Sequence, residues 1–186
     1  MSLPERKHHR LKHYDYSSNG AYFVTICSFK KLQIFGKIEN GIMIHSRYGE
    51  IANNEIEKTN QLRQSKGIKI TNWVVMPNHI HMIIEISHDT LFDTNPQFEA
   101  FSKPTKQSVA TIVRAYKSSV TKEVHKILDE SEAFNESCGH GTPCPYIVWQ
   151  GGYYDNIIKN EDMYEKVFQY INSNPALWQD DCYNEL

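Results

Sequence analysis

The chain has no basic surplus. Its 186 residues carry 20 Lys and Arg against 22 Asp and Glu, a formal net charge of −2 with nine neutral His. That excludes a broad cationic field, the usual footprint of nucleic-acid binding. Any contact with DNA or RNA has to come from local patches, stacking or a metal. Cysteine is scarce, and Cys27, Cys138, Cys144 and Cys182 form no paired-cysteine zinc pattern. Cys138, His140 and Cys144 give three soft ligands in one loop without a fourth. No apolar run approaches the roughly 18–20 residues of a membrane helix, and the polar, basic N-terminus lacks the apolar core of a signal peptide. There is no GxxxxGKS or GxxxxGKT phosphate loop, so P-loop nucleotide hydrolysis is excluded. These absences predict a cytoplasmic protein with free thiols and no membrane partner. What is present, 40% hydrophobic and 12% aromatic residues, is enough for a packed core. The length predicts one domain.

The most informative stretch is Trp73-Val74-Val75-Met76-Pro77-Asn78-His79-Ile80-His81-Met82-Ile83-Ile84-Glu85-Ile86. It reads as two apolar strands separated by a Pro-Asn turn. In a strand, residues i and i+2 share a face. His79 and His81 therefore project side by side, with Ile80 and Met82 on the other side. Two imidazoles on one face of a rigid strand are half of a metal site. The alternative is two histidines on the wet face of a half-buried strand.

Around this stretch the elements fall in a simple order. Residues 1–13 are a basic arm with Arg6, Lys7, Arg10 and Lys12, either a solvated tail or a phosphate-contacting arm. Ala21 to Ser28 is a strand. Leu32 to Ile44 has Asn40-Gly41 between two alternating runs, a strong hairpin signal. Ser46 to about Ser65 is a helix with Ile51, Ile56 and Leu62 toward one face. After the two central strands comes a polar loop, Ser87 to Thr105. Gln107 to Leu128 is an amphipathic helix whose outer face carries Arg114, Lys117, Lys122 and Lys126. Asp129 to Pro145 is irregular, Tyr146 to Gln150 reads as a short strand, and a last helix opens at Asn160 or Glu161 and stops before Pro175. Ala176 to Leu186 reads as an acidic, loosely held tail, with residues 14–178 as the domain and 179–186 beyond it. Without the hairpin the order is βαββαβ. That predicts an α+β, ferredoxin-like antiparallel sheet with helices on one face, an inserted β-hairpin and a C-terminal helix.

On that last helix Tyr170 and Asn174 stand at i and i+4 and share a face at the rim of the apolar stripe of Met163, Val167 and Ile171. By pattern alone such a tyrosine is a core residue with a wet hydroxyl.

The run Val74-Val75-Met76-Pro77-Asn78-His79-Ile80-His81 resembles the His-hydrophobe-His signature of the IS200-like single-tyrosine transposases, and most of all their REP-associated branch. Trp149-Gln150-Gly151-Gly152-Tyr153-Tyr154-Asp155 and Gln169-Tyr170-Ile171-Asn172-Ser173-Asn174-Pro175 fit the same pattern, and the resemblance spans roughly residues 14–178. It implies a metal-dependent single-stranded DNA endonuclease and transesterase, nicking and rejoining DNA near hairpins. Tyr170 would be the nucleophile, and His79, His81 and Asn174 would hold a divalent ion, Mg or Mn. The partner implied is single-stranded or hairpin DNA, bound by a monomer or a homodimer. DNA contacts are expected from Arg6, Lys7, Arg10, Lys12 and Lys117. Trp149, Tyr153, Tyr154 and Trp178 are candidates for stacking on unpaired bases. Two other readings stay open: a non-catalytic hairpin-binding relative, and a metal phosphodiesterase that uses water.

Overall fold

The computed structural model of the chain describes residues 14–87, 107–129 and 148–184. The basic arm, most of the 87–105 loop, the Cys138, His140 and Cys144 stretch, and Tyr146 and Ile147 lie outside the described residues. The elements are β1 (Gly20–Cys27), β2 (Gly36–Glu39), β3 (Ile42–His45), α1 (Arg47–Arg63), β4 (Ile68–Val75), β5 (His79–Ile86), α2 (Val109–Asp129), β6 (Tyr154–Ile158) and α3 (Glu161–Ser173). Strands β4-β5-β1-β6 form one antiparallel sheet, and β2 and β3 form a separate hairpin. The expected ferredoxin-like order is therefore present, with β5 and β1 at the centre. Among the described residues no helix is long and apolar enough to cross a membrane.

Side-chain alternation sets the two faces of the sheet. Ile80, Met82, Ile84 and Ile86 of β5 join Tyr22, Val24 and Ile26 of β1 in the main core. Helices α1 and α2 close that core, through Ala52 and Ile56 from one and Val109, Ile112, Val113, Tyr116 and Val120 from the other. Tyr116 donates from its buried hydroxyl to the Ala52 carbonyl at 2.8 Å, which joins the two helices. Each apolar side chain buried here contributes about 1.5–3 kcal/mol. A one-residue slip of β5 would lose several of these and push imidazoles into the apolar layer, so the register is strongly fixed. The opposite face carries a smaller cluster, Ile83, Ile158 and Ile171, packed by Phe23, Val74, Met163 and Val167. Helix α3 covers that face. Helices α1 and α2 thus share one side of the sheet, and α3 lies on the histidine side.

Local chemistry explains most element boundaries. Asn40 and Gly41 both have positive φ, 52° and 75°, as a two-residue hairpin turn requires. Ser46 caps α1 by accepting from Gly49 N, and Asn160 caps α3 by accepting from Met163 N. Three expectations need correction. Leu62 is 74% exposed; six residues after the fully buried Ile56, it lies about 240° round the helix. The sheet's fourth strand is Tyr154–Ile158 and not Tyr146 to Gln150, whose described part makes only a single bridge, Ser28 to Trp149. The described residues after Pro175 are not loose, because Trp178 is buried and Asp181 and Tyr183 pack against His79.

The hairpin base is tight. A Cβ on Gly49 would stand 2.0 Å from the Phe35 carbonyl oxygen and 3.0 Å from its carbon. Backbone would have to move. Gly49→Ala should therefore lower stability by about 2 kcal/mol, because overpacking against backbone, at the upper end of about 1–3 kcal/mol, outweighs the ~1 kcal/mol that alanine gains in a helix. Urea unfolding midpoints measure it. A variant as stable as the parent would contradict the close approach.

Candidate metal and nucleophile site

The turn ahead of β5 is tied down on all sides. Met76 N donates to His79 O, Phe35 N to Pro77 O, and Ser28 N to Asn78 O, at 2.8, 3.0 and 2.8 Å. Asn78 Nδ2 donates to Tyr183 O at 2.8 Å, which fixes the amide so that Asn78 Oδ1 faces His79 Nδ1 at 2.9 Å. An amide oxygen only accepts, so His79 carries its proton on Nδ1 and presents a lone pair on Nε2. His81 is held from β1, where Thr25 Oγ1 lies 2.8 Å from its Nδ1. These second contacts orient both rings, as they do for metal-ligating histidines.

Both imidazoles are buried, at 0% and 1% exposure. Burial, more than any charge, lowers the His79 pKa to about 4; Lys31 pushes the same way and Asp181 opposes. The His81 pKa falls well below its ordinary value, first through burial and then through His79. Near neutral pH both rings are uncharged. The contact of Asp181 Oδ2 with His79 Nε2, at 4.0 Å, is then no ion pair.

Three further groups converge here. Tyr170 places its hydroxyl 3.3 Å from His81 Nε2. Asn174, 2% exposed, donates through Nδ2 to Asp181 Oδ2 at 2.8 Å. The Asp181 side chain is 2% exposed, and its Oδ1 accepts from Tyr183 N at 2.7 Å. The ligating atoms of His79, His81 and Asp181 all lie within 4.8 Å of one another. That is near the span of up to about 4.4 Å subtended by two bonds of about 2.0–2.2 Å to one ion. Two buried atoms, His79 Nε2 and Asn174 Oδ1, have no hydrogen-bond partner. Orphaned buried polar atoms are rare. Neutral imidazole nitrogens and a carboxylate within 4.8 Å of one another, with an unpartnered amide oxygen on the residue that donates to that carboxylate, fit a divalent cation.

Aromatic rings wall the site. Tyr183 lies 4.5 Å from His79 and 5.8 Å from His81, centroid to centroid, and Phe23 lies 5.1 Å from His81. Tyr170 remains 39% exposed. Burial first, then Asp181 and Cys182, push its phenol up to about 12, with a hydrogen bond from Asn174 working the other way.

The structure brings His79, His81, Tyr170 and Asn174 together. It does not bring Lys117 to them. Lys117 Nζ donates to Gln150 O and Gly152 O, at 2.7 and 2.9 Å, and ties down that turn. Arg6, Lys7, Arg10 and Lys12 lie outside the described residues. Of the stacking candidates, Trp149 and Trp178 are each only 8% exposed, Tyr153 is half-buried, and Tyr154 is 41% exposed. Burial of the two tryptophans corrects that expectation, since Trp149 packs on Phe35 and Trp178 on His79. Asp181 and Tyr183 were missed because the segment reads as an acidic tail. The available signal was two aromatics, Trp178 and Tyr183, within a few residues of the helix end.

No protein-family model matches the chain. A protein of Haemophilus influenzae, described only as uncharacterized, is 36% identical over 184 residues, covering 96% of this chain and 93% of that protein. A solved structure of a REP-associated tyrosine transposase bound to a REP hairpin superposes with a TM-score of 0.51. It is 18% identical and the match covers 95% of this chain and 73% of that one. The two chains share one fold. The chain belongs to the same family as the Haemophilus influenzae protein.

The buried neutral histidines make stability depend on pH. Their folded pKa values lie below the ordinary His value, to about 4 for His79. Between pH 6.5 and 4 the unfolded chain therefore binds more protons than the folded one. Their contribution is fully present above about pH 6.5 and is lost as pH falls toward 4. Urea midpoints of metal-free protein should drop steeply between pH 7.5 and 5. A flat profile would mean that the rings are not buried neutral.

Proposed function

We propose that the chain is a metal-dependent enzyme of the transposase type that nicks and rejoins single-stranded DNA near hairpins. The observation that carries this is the convergence of a half-exposed tyrosine hydroxyl, 3.3 Å from His81 Nε2, with a buried cluster of neutral histidines, Asp181 and an unpartnered Asn174 oxygen. The transposase-like fold supports the same reading.

His79, His81 and an oxygen from Asp181 or Asn174 are the residues that would hold Mg or Mn. When bound, such an ion supplies the positive charge that polarises a phosphodiester. An ordinary phenol is ionised in about one molecule in a thousand at pH 7, and Tyr170, pushed up to about 12, is ionised less still. Attack by Tyr170 therefore depends on positive charge beside it, and the cluster is built to hold that charge. Tyr170 Oη forms a bond to phosphorus in line with the departing 3′-oxygen, which leaves as a 3′-hydroxyl. The phenolic proton passes to solvent, and the departing 3′-oxygen takes one proton up from solvent, so the exchange balances. The product is a 5′-phosphotyrosine, and a second 3′-hydroxyl reverses the step to join new ends. Phosphoester is exchanged and no nucleotide is consumed.

DNA, single-stranded or in a hairpin, is the proposed partner. Arg6, Lys7, Arg10 and Lys12 are the proposed phosphate contacts, with Lys117, which keeps one of its three N–H donors after tying the 150–152 turn. The chain works as a monomer or a homodimer, in the cytoplasm.

Tyr170→Phe removes one hydroxyl and almost no volume, so the protein should stay folded. With Mn and a labelled single-stranded hairpin, the parent should give a covalent protein–DNA adduct on a denaturing gel. Tyr170→Phe should give none while still binding the hairpin, and His81→Ala should lose cleavage. Cleavage that persists in Tyr170→Phe without any adduct would make the chain a phosphodiesterase using water. Binding by the parent without cleavage would make it a hairpin-binding relative.

A further inference from the structure

Lys30 and Lys31, in the short turn Phe29–Lys31 that follows β1, have φ of 52° and 55°. Glycine adopts this left-handed region freely and asparagine or aspartate tolerates it, but lysine is disfavoured there. A side chain kept at such a position points to a use for that side chain. The turn is firmly held. Lys31 N donates to Ser28 O and Leu32 N to Phe29 O, at 3.2 and 3.1 Å, and Ser28 N reaches Asn78 O, beside His79.

The two lysines differ in what they reach. Lys30 Nζ lies over its neighbour Phe29, 5.4 Å from the ring centroid. Lys31 Nζ instead crosses to the C-terminal segment. It donates to Cys182 O at 3.4 Å and lies 5.4 Å from the centroid of Tyr183. Cys182 and Tyr183 directly follow Asp181, and Tyr183 N donates to Asp181 Oδ1. With Asn78 Nδ2 on Tyr183 O, the stretch 181–183 is pinned from both strand ends that frame the histidines.

We propose that Lys31 is a positioning residue for the metal site. Its ammonium clamps the Cys182 carbonyl and the Tyr183 ring, and so holds the Asp181 carboxylate beside His79 and His81. Losing a hydrogen bond made directly to a ligand lowers metal affinity about 10- to 100-fold, and Lys31 acts one contact further out, so about tenfold, the low end of that range, is expected. The inference rests on the metal reading proposed above.

The test is Mn binding to the full chain, without DNA, by titration calorimetry. Lys31→Met should weaken binding about tenfold, and Lys31→Arg, which keeps a cationic donor, should restore most of it. Lys31→Gly relaxes the strained φ, so it should fold at least as well as the parent in chelator yet bind Mn as weakly as Lys31→Met. Lys31→Gly therefore carries the test if Lys31→Met fails to fold. His81→Ala is the reference that should lose binding. Parent-like affinity in Lys31→Met and Lys31→Gly, with loss in His81→Ala, overturns the role of Lys31 and leaves the metal reading standing. Parent-like affinity in all of these, His81→Ala included, overturns the metal reading and the inference with it.

Discussion

The packing of one strand governs the rest. On β5 the even-numbered side chains Ile80, Met82, Ile84 and Ile86 are buried against α1 and α2. Strand geometry then leaves the odd positions no choice but the other face. His79 and His81 are fixed there with a rigidity that a loop could not provide. The neighbouring strand completes the arrangement, since β1 pairs Thr25 with His81 and Cys27 with His79. Apolar burial on one side of the sheet thus positions polar chemistry on the other.

That polar chemistry runs against ordinary stability. Two imidazoles, an amide and a carboxylate sit together almost without solvent. Burying polar atoms without partners costs roughly 1–3 kcal/mol each, and His79 Nε2 and Asn174 Oδ1 have none. An apolar wall would be more stable at those positions. A cluster of this kind is explained when a cation completes it, and the neutral histidines, the Asp181 carboxylate and the unpartnered Asn174 oxygen would supply its ligands.

Much of this was legible in the sequence where chemistry is local. The His-x-His alternation, the Asn40-Gly41 turn, the Ser46 and Asn160 caps and the pairing of Tyr170 with Asn174 each follow from neighbours a few residues apart. Strand β6 was not legible. Only Ile158 of its five residues is buried, so it lacks the strong alternation that Tyr146 to Gln150 seemed to offer. Leu62 failed because apolar character outran helical phase. Asp181 could not be read at all, since it reaches the histidines through contacts such as Asn78 to Tyr183, 105 residues apart in the chain. The aromatics Trp178 and Tyr183 mark that stretch as one that packs, but nothing local to it names so distant a partner.

The central claim is that His79, His81 and the oxygens beside them hold one divalent ion next to Tyr170. Crystals soaked in Mn and measured at its absorption edge test it directly. The account predicts a single strong anomalous peak about 2.0–2.3 Å from His79 Nε2 and His81 Nε2, with an oxygen of Asp181 or Asn174 in the same shell. No peak between the two imidazoles at saturating Mn, or a peak bound only elsewhere on the chain, would contradict it.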